Sequence, residues 1–369
     1  MRIKHMSDSV ATTERKKYLD AAKGWGILMV VFGHITKLGN PLDIWFGAYK
    51  LAVFYFVSGY LLAMRQSFRK MSTGEYIKKH AKSLLIPYFG YSAFVIVYNI
   101  IVGLIKGRQT SDIIMRMLLQ AYTTLSFRGI SALWFLPTLF LAQVIFIFVI
   151  KSRKEIKILS AIGTVIFAWY ASVYFFPMLA QMYEGRMYKI ISFPLLALSK
   201  GVIGFGFVGL GYIFYFLIVH AKQKHLKGIV GIVAFIATYF LAQRNGGVDL
   251  NLMGLGKSQI MFWFNSILGS VGTILMFEYL ENWCKMEFLS FCGRNSLIIM
   301  ATHGTLGFKG LIVNGWSVMY SLSDVAGLRY YLECTGILAE LMLIEYGVIA
   351  VVKNCFPWLE GKPFRKADR

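Results

Sequence analysis

LWFLPTLFLAQVIFIFVI, residues 133–150, contains no charged side chain. A helix rises ~1.5 Å per residue and the hydrocarbon core of a bilayer is ~30 Å thick, so a run of roughly 20 apolar residues reads as a membrane span. WFGAYKLAVFYFVSGYLLAM, residues 45–64, is a second such run, interrupted only by Lys50. Working outward from these two, the sequence predicts ten spans, near 22–38, 43–64, 83–105, 132–150, 156–177, 194–219, 228–243, 258–277, 295–314 and 332–352. The sixth is long and Gly-rich, and Lys200 near its start marks a kink or an interfacial beginning. The ninth is the weakest, because His303 and Lys309 interrupt it. The expected fold is an all-α polytopic membrane helix bundle.

Composition agrees. Hydrophobic residues make up 57% of the chain and charged residues only 15%, against about 25% charged in soluble proteins. Seven prolines in 369 residues exclude a disordered or collagen-like chain. A soluble enzyme and a nucleic-acid-binding module are excluded as leading readings. An outer-membrane barrel is excluded too, since it needs short alternating segments. The net charge of +21 comes from basic residues between the apolar runs. It therefore points to membrane topology and anionic headgroups, with no nucleic acid as partner. Counted on alternate sides of the ten spans, Lys and Arg divide 25 to 10 in favour of the side holding both termini. That asymmetry predicts cytoplasmic termini and a cell-membrane location. Residues 1–369 read as one integral membrane domain, with a polar cytoplasmic tail at 1–17 and a basic one at 354–369. The first 17 residues lack an apolar core and cleavage site, so the first span is expected to serve as an uncleaved membrane signal. Cys284, Cys292, Cys334 and Cys355 form no CxxC pair and no zinc-spaced cluster, so free thiols and no metal are expected.

Charged and titratable groups inside spans are costly and mark function. YLDAAKGWGILMVVFGHI, residues 18–35, carries three. Asp20 and Lys23 are three apart and face one side of a helix, so they can pair. Lys23 and His34 are eleven apart, close to three turns, and share a face. They lie ~16 Å apart along the axis, too far to bond each other. This separation suits an elongated substrate, with an anion held at one end and chemistry at the other. On spacing alone, a snorkelling Lys23 and a structural His34 stay open. His303 is a second intramembrane histidine, and Glu340 and Glu345 in the last span each need a partner. GLGKS (254–258) lacks the upstream glycine of a phosphate loop, and GFGFVGLG (204–211) reads as close helix packing.

These residues resemble a known family. The segment 18–35 is similar to the opening signature of the acyltransferase-3 superfamily of integral membrane O-acyltransferases: a basic residue, ten positions, then His in a Gly-His pair. Lys23 and Gly33-His34 match it. FYFVSGYLL (54–62) resembles the family's Phe-rich Ser-Gly segment, and WFLPTLF (134–140) its Trp-x-Leu entry to a middle span. KKHAKSLLIPYF (78–89) resembles the basic stretch before the third span, with Lys79 and Lys82 where Arg is usual. Lys is a point charge and cannot clamp a phosphate bidentately. FCGRNSLIIMATH (291–303) resembles the Gly-x-Asn-Ser-Leu…His element of the fucose 4-O-acetylase-like branch.

The resemblance implies transfer of an acetyl group from acetyl-CoA, a co-substrate rather than a bound cofactor, to a hydroxyl of a surface polysaccharide or its precursor. His34 is the expected general base, by an imidazole with an ordinary pKa near ~6.5, or else a covalent acyl carrier. Asp20 and Lys23 complete the catalytic set. Lys23, Lys79, Lys82 and Ser58 are the expected acyl-CoA contacts. Ser58 either bonds a backbone carbonyl or lines the acyl site. Trp134, Arg128, His303 and Asn295 are the expected acceptor contacts. Trp134 either stacks on a sugar or sits as an interfacial belt residue, and Asn295 reads also as a helix cap. The competing reading is a proton-coupled exporter of a glycan precursor, with Asp20, Lys23, His34, His303, Glu340 and Glu345 as a relay. No inverted repeat supports it. The acceptor sugar and the oligomeric state, a homo-oligomer included, are left open.

Overall fold

The apolar runs become helices in a computed structural model that describes residues 15–221, 223–319, 322–323 and 326–361. Most of the two predicted tails lies outside the described residues. In chain order the helices are α1 (Lys17–Ile35), α2 (Pro41–Gly47), α3 (Ala52–Arg65), α4 (Thr73–Ile105), α5 (Thr110–Leu125), α6 (Phe135–Ile150), α7 (Lys154–Tyr170) and α8 (Phe176–Met182). They continue as α9 (Gly185–Ile218), α10 (Lys224–Asn245), α11 (Gln259–Leu280), α12 (Glu287–Arg294), α13 (Ser296–Thr302), α14 (Phe308–Met319) and α15 (Leu328–Cys355). The only strand-like pairing among the described residues is an isolated bridge between Asp249 and Gly254.

Eight segments are long and apolar enough to cross a membrane, against the ten expected. The two that fall short are informative. α1 carries Lys17, Asp20, Lys23 and three glycines, which lower its hydropathy. It is nonetheless buried along most of its length and touches α3, α11, α12, α13 and α15. It is the central helix, shielded from lipid by its neighbours. The expected ninth span is broken into α13 and α14 by a turn at 303–307, where Gly307 takes φ +78°. Irregular backbone at membrane depth is tolerated where protein surrounds it, and His303 at this break is 2% exposed. The connection at 106–131 holds a helix of its own, α5.

Helix association in lipid depends on close packing at small residues. A Cβ on Gly24 would run into the Leu289 carbonyl, and one on Gly293 into the Asp20 carbonyl, so α1 and α12 pack backbone to backbone. Gly59 and Gly211 do the same for α3 and α9. On the outside, Leu104, Ile166, Leu217, Val233 and Leu343 are more than half exposed. An apolar exterior around a core that contains Asp20, Lys200 and Glu345 suits lipid as the surrounding solvent. Local signals set several ends. Ser72 and Glu75 form a reciprocal capping box at the start of α4, with bonds of 3.2 and 2.8 Å. Asn40 caps α2 by accepting from Leu42 N and Asp43 N at 3.0 and 3.1 Å. Lys200 is not at a helix start. α9 begins fifteen residues earlier, at Gly185, and Lys200 is fully buried inside it.

Candidate active site

His34 sits in the last turn of α1, where Thr36 N closes the helix on Phe32 O at 2.9 Å. Its ring faces a cavity of about 420 Å³ whose walls include Asp43, Lys50, Trp134, Asp249 and Asn251. The imidazole is therefore open to a passage and not walled off by packing. On its other side stands His303, with ring centroids 5.2 Å apart. His303 Nδ1 lies 2.7 Å from the Ile299 carbonyl. A carbonyl only accepts, so Nδ1 carries the proton and Nε2 is left as an acceptor. That Nε2 is buried and has no hydrogen-bond partner among the described residues. Lys309 Nζ donates to the His34 carbonyl at 2.9 Å and ties α14 to the end of α1.

Lys50 enters the same cavity from the turn between α2 and α3. Its ammonium rests against Gly33, so closely that a Cβ on that glycine would lie 2.8 Å from Nζ. The glycine of the Gly-His pair thus makes room for a cation beside the histidine. Asp43 faces it. One Asp43 oxygen accepts from Gly39 N at 2.9 Å, and the other is 3.9 Å from Lys50 Nζ.

The far wall is the segment between α10 and α11. Buried Asn245 folds it back: its Oδ1 accepts from Ser258 N at 2.8 Å, and its backbone carbonyl accepts from Lys257 N at 2.8 Å. Asp249 accepts from Asn251 N at 2.9 Å. Asn251 Oδ1 in turn accepts from Lys200 Nζ at 3.0 Å and from Arg128 Nη1. Lys200 Nζ also stands 4.0 Å over the Trp134 ring, a cation–π contact. Burial pushes the Arg128 guanidinium below its ordinary value, and Asp249 opposes that shift.

A second cavity, of about 200 Å³, opens nearer the start of α1 and is lined by Lys23, Ser58, Leu84 and Ser296. Phe54, Phe135 and Met300 line both cavities. These three side chains, from α3, α6 and α13, form an apolar collar between a space holding Lys23 and a space holding His34. Phe54 and Phe135 meet edge to face at 5.6 Å.

The sequence profile of the acyltransferase-3 family, described as an acyltransferase domain, matches residues 16–331. The chain belongs to the acyltransferase-3 family. It is a multi-pass membrane protein and an acyl-transferring enzyme, which works with an acyl donor. No curated protein and no solved structure matches it.

In this acyltransferase His34 and Trp134 share one cavity, with His303 behind the His34 ring. Lys23 and Ser58 share the other, and Ser58 Oγ accepts from Gln143 Nε2 at 2.6 Å. Asp20 lies at the opposite end of α1 from His34. Its carboxylate holds Lys23 Nζ at 2.9 Å and Arg15, so it serves the cation and cannot reach the imidazole. Five expected contacts line neither cavity, His303 behind the His34 ring among them. Lys79 and Lys82 are exposed on α4, although Leu84, two residues on, lines the Lys23 cavity. Asn295 is buried at the α12–α13 junction, where its Nδ2 donates to Phe291 O at 2.8 Å. Arg128 stands behind Asn251 and outside the lining. The partners expected of the last-span acids are Trp316 Nε1, 2.9 Å from Glu340, and Thr302 Oγ1, 2.6 Å from Glu345. Sequence reading missed Asp43, Lys50, Asp249 and Asn251. Lys50 had a usable signal, a lone charge in an apolar run. Asp43 stands at the very start of the expected second span, in α2, while Asp249 and Asn251 lie in a polar connection that looks like any loop.

Proposed function

We propose that this acyltransferase, acting as a single domain, moves an acetyl group from acetyl-CoA to a hydroxyl of a surface polysaccharide or its precursor. We place it in the cell membrane with both termini cytoplasmic. The donor's phosphates rest near Lys23 and the basic stretch that includes Lys79 and Lys82. Its thioester arm passes the collar of Phe54, Phe135 and Met300. The acceptor occupies the His34 cavity from the other side, against Trp134. The observation that carries this reading is the pair of cavities meeting at one collar, with the family's basic residue in one and its histidine in the other.

In the reaction the acceptor oxygen attacks the thioester carbonyl carbon, and His34 takes the hydroxyl proton as the bond forms. The carbonyl π pair moves to oxygen. Collapse of that tetrahedral species reforms the C=O and expels the CoA thiolate, which receives the proton from His34. His303 packs behind the His34 ring, and its unpartnered Nε2 is the acceptor assigned to the imidazolium as it forms. The 291–303 element brings His303 to the reacting histidine, and we assign the enzyme to a sugar O-acetylase branch on the likeness of that element.

The test is transfer of labelled acetyl from acetyl-CoA in membranes supplied with candidate glycans. His34→Ala is expected to abolish covalent transfer with insertion unchanged. Transfer that survives in this variant removes His34 as the base.

A further inference from the structure

Four cations surround the reacting end of α1: Lys50, Lys309, Lys200 and Arg128. Three donate at least one hydrogen bond to protein. Lys309 donates to the His34 carbonyl, while Lys200 and Arg128 share Asn251 Oδ1. Lys50 differs. Its nearest carboxylate oxygen is 3.9 Å away, beyond hydrogen-bond reach, and no acceptor among the described residues bonds its Nζ. It lines the His34 cavity, with its Nζ against Gly33, the residue next to His34.

We infer that Lys50 is a catalytic residue, the donor that binds the oxyanion of the tetrahedral intermediate. The inference rests on the acyl-transfer reading above. An ammonium has three N–H donors and no acceptor. The Lys50 side chain lines the cavity, so an oxygen bound there can meet these donors. As the acceptor adds to the carbonyl carbon, the negative charge grows on the former carbonyl oxygen while His34 becomes imidazolium. That oxygen then lies between two cations, and Lys50 keeps its proton throughout. Asp43 fixes the side chain without a hydrogen bond that would have to break. Gly33 is the position that permits this arrangement, since a Cβ there would displace the ammonium from its place against the backbone.

The experiment measures thiol released from acetyl-CoA by the purified full chain in detergent, with water or a panel of methyl glycosides as acceptor. Lys50→Met is expected to lower kcat by about a hundredfold or more, with the acetyl-CoA and glycoside KM values within about threefold of wild type, as expected for an interaction made only in the transition state. Lys50→Arg keeps the charge and is expected to retain about a tenth of wild-type kcat. It supplies the same KM-against-kcat comparison if Lys50→Met does not fold. A loss that falls on the glycoside KM with kcat kept makes Lys50 an anchor for an anionic acceptor and overturns the inference, as does wild-type turnover in both variants. His34→Ala in the same assay separates the two levels. If His34→Ala is dead and Lys50→Met is active, the acyl-transfer reading stands and only the Lys50 role falls. If the wild type releases no thiol, both fall.

Discussion

His303 is the residue whose role the geometry sharpens most. Its Nδ1 is committed to Ile299 O, and its Nε2 faces a buried space beside His34 without a partner among the described residues. That arrangement fixes the tautomer and leaves one unpartnered acceptor close to the neighbouring imidazole. His303→Phe fills the volume and removes the acceptor. It is expected to reduce kcat by about tenfold to a hundredfold with the acetyl-CoA KM unchanged, measured by steady-state thiol release. A change confined to the glycan KM would make His303 an acceptor contact instead. At this scale the sequence was legible where helical spacing decides position. Lys23 and His34 fall on one face because eleven residues are nearly three turns, and each lines a cavity. It was not legible where position depends on tertiary approach. Lys50 reaches Gly33 because α2 and the following turn fold back on α1, and Asn251 reaches Trp134's cation through a segment without periodicity.

Among the elements, α1 matters most, although it is not one of the eight segments apolar enough to cross a membrane. Its position relies on α12, through the reciprocal contact of Gly24 and Gly293 with the facing backbone. Gly24→Val forces the two helices apart and is expected to cost about 1–3 kcal/mol, seen as a lower unfolding temperature in detergent. Gly163→Ala in α7 is the control, because a Cβ there meets nothing within 4 Å. Equal stability of Gly24→Val and the control would show that this crossing does not hold α1. The break between α13 and α14 shows why hydropathy alone read residues 295–314 as one unbroken helix. Residues 295–314 have the composition of a span interrupted by polar groups, but the turn after Thr302 is set by packing of His303 against α1 and by Thr302 donating to Glu345. Neither partner is near in sequence.

For the whole molecule, two cavities converge on a single apolar collar within a bundle whose outer surface suits lipid. An exporter would need its ionisable groups to form one continuous relay. Here Asp20 and Lys23 belong to one end of α1 and His34 and His303 to the other, with Phe54, Phe135 and Met300 between the two cavities. The central claim is that donor and acceptor approach His34 from opposite faces of the membrane. The most direct measurement is thiol labelling in sealed vesicles of defined orientation, with Cys284 and Cys355, the two exposed native thiols, replaced by Ser. Ser58→Cys reports the Lys23 cavity and Leu38→Cys reports the His34 cavity. A membrane-impermeant maleimide is expected to label Ser58→Cys only from the cytoplasmic face, with acetyl-CoA protecting it, and Leu38→Cys only from the opposite face. Labelling of both from one face, or no protection by acetyl-CoA, would contradict the account.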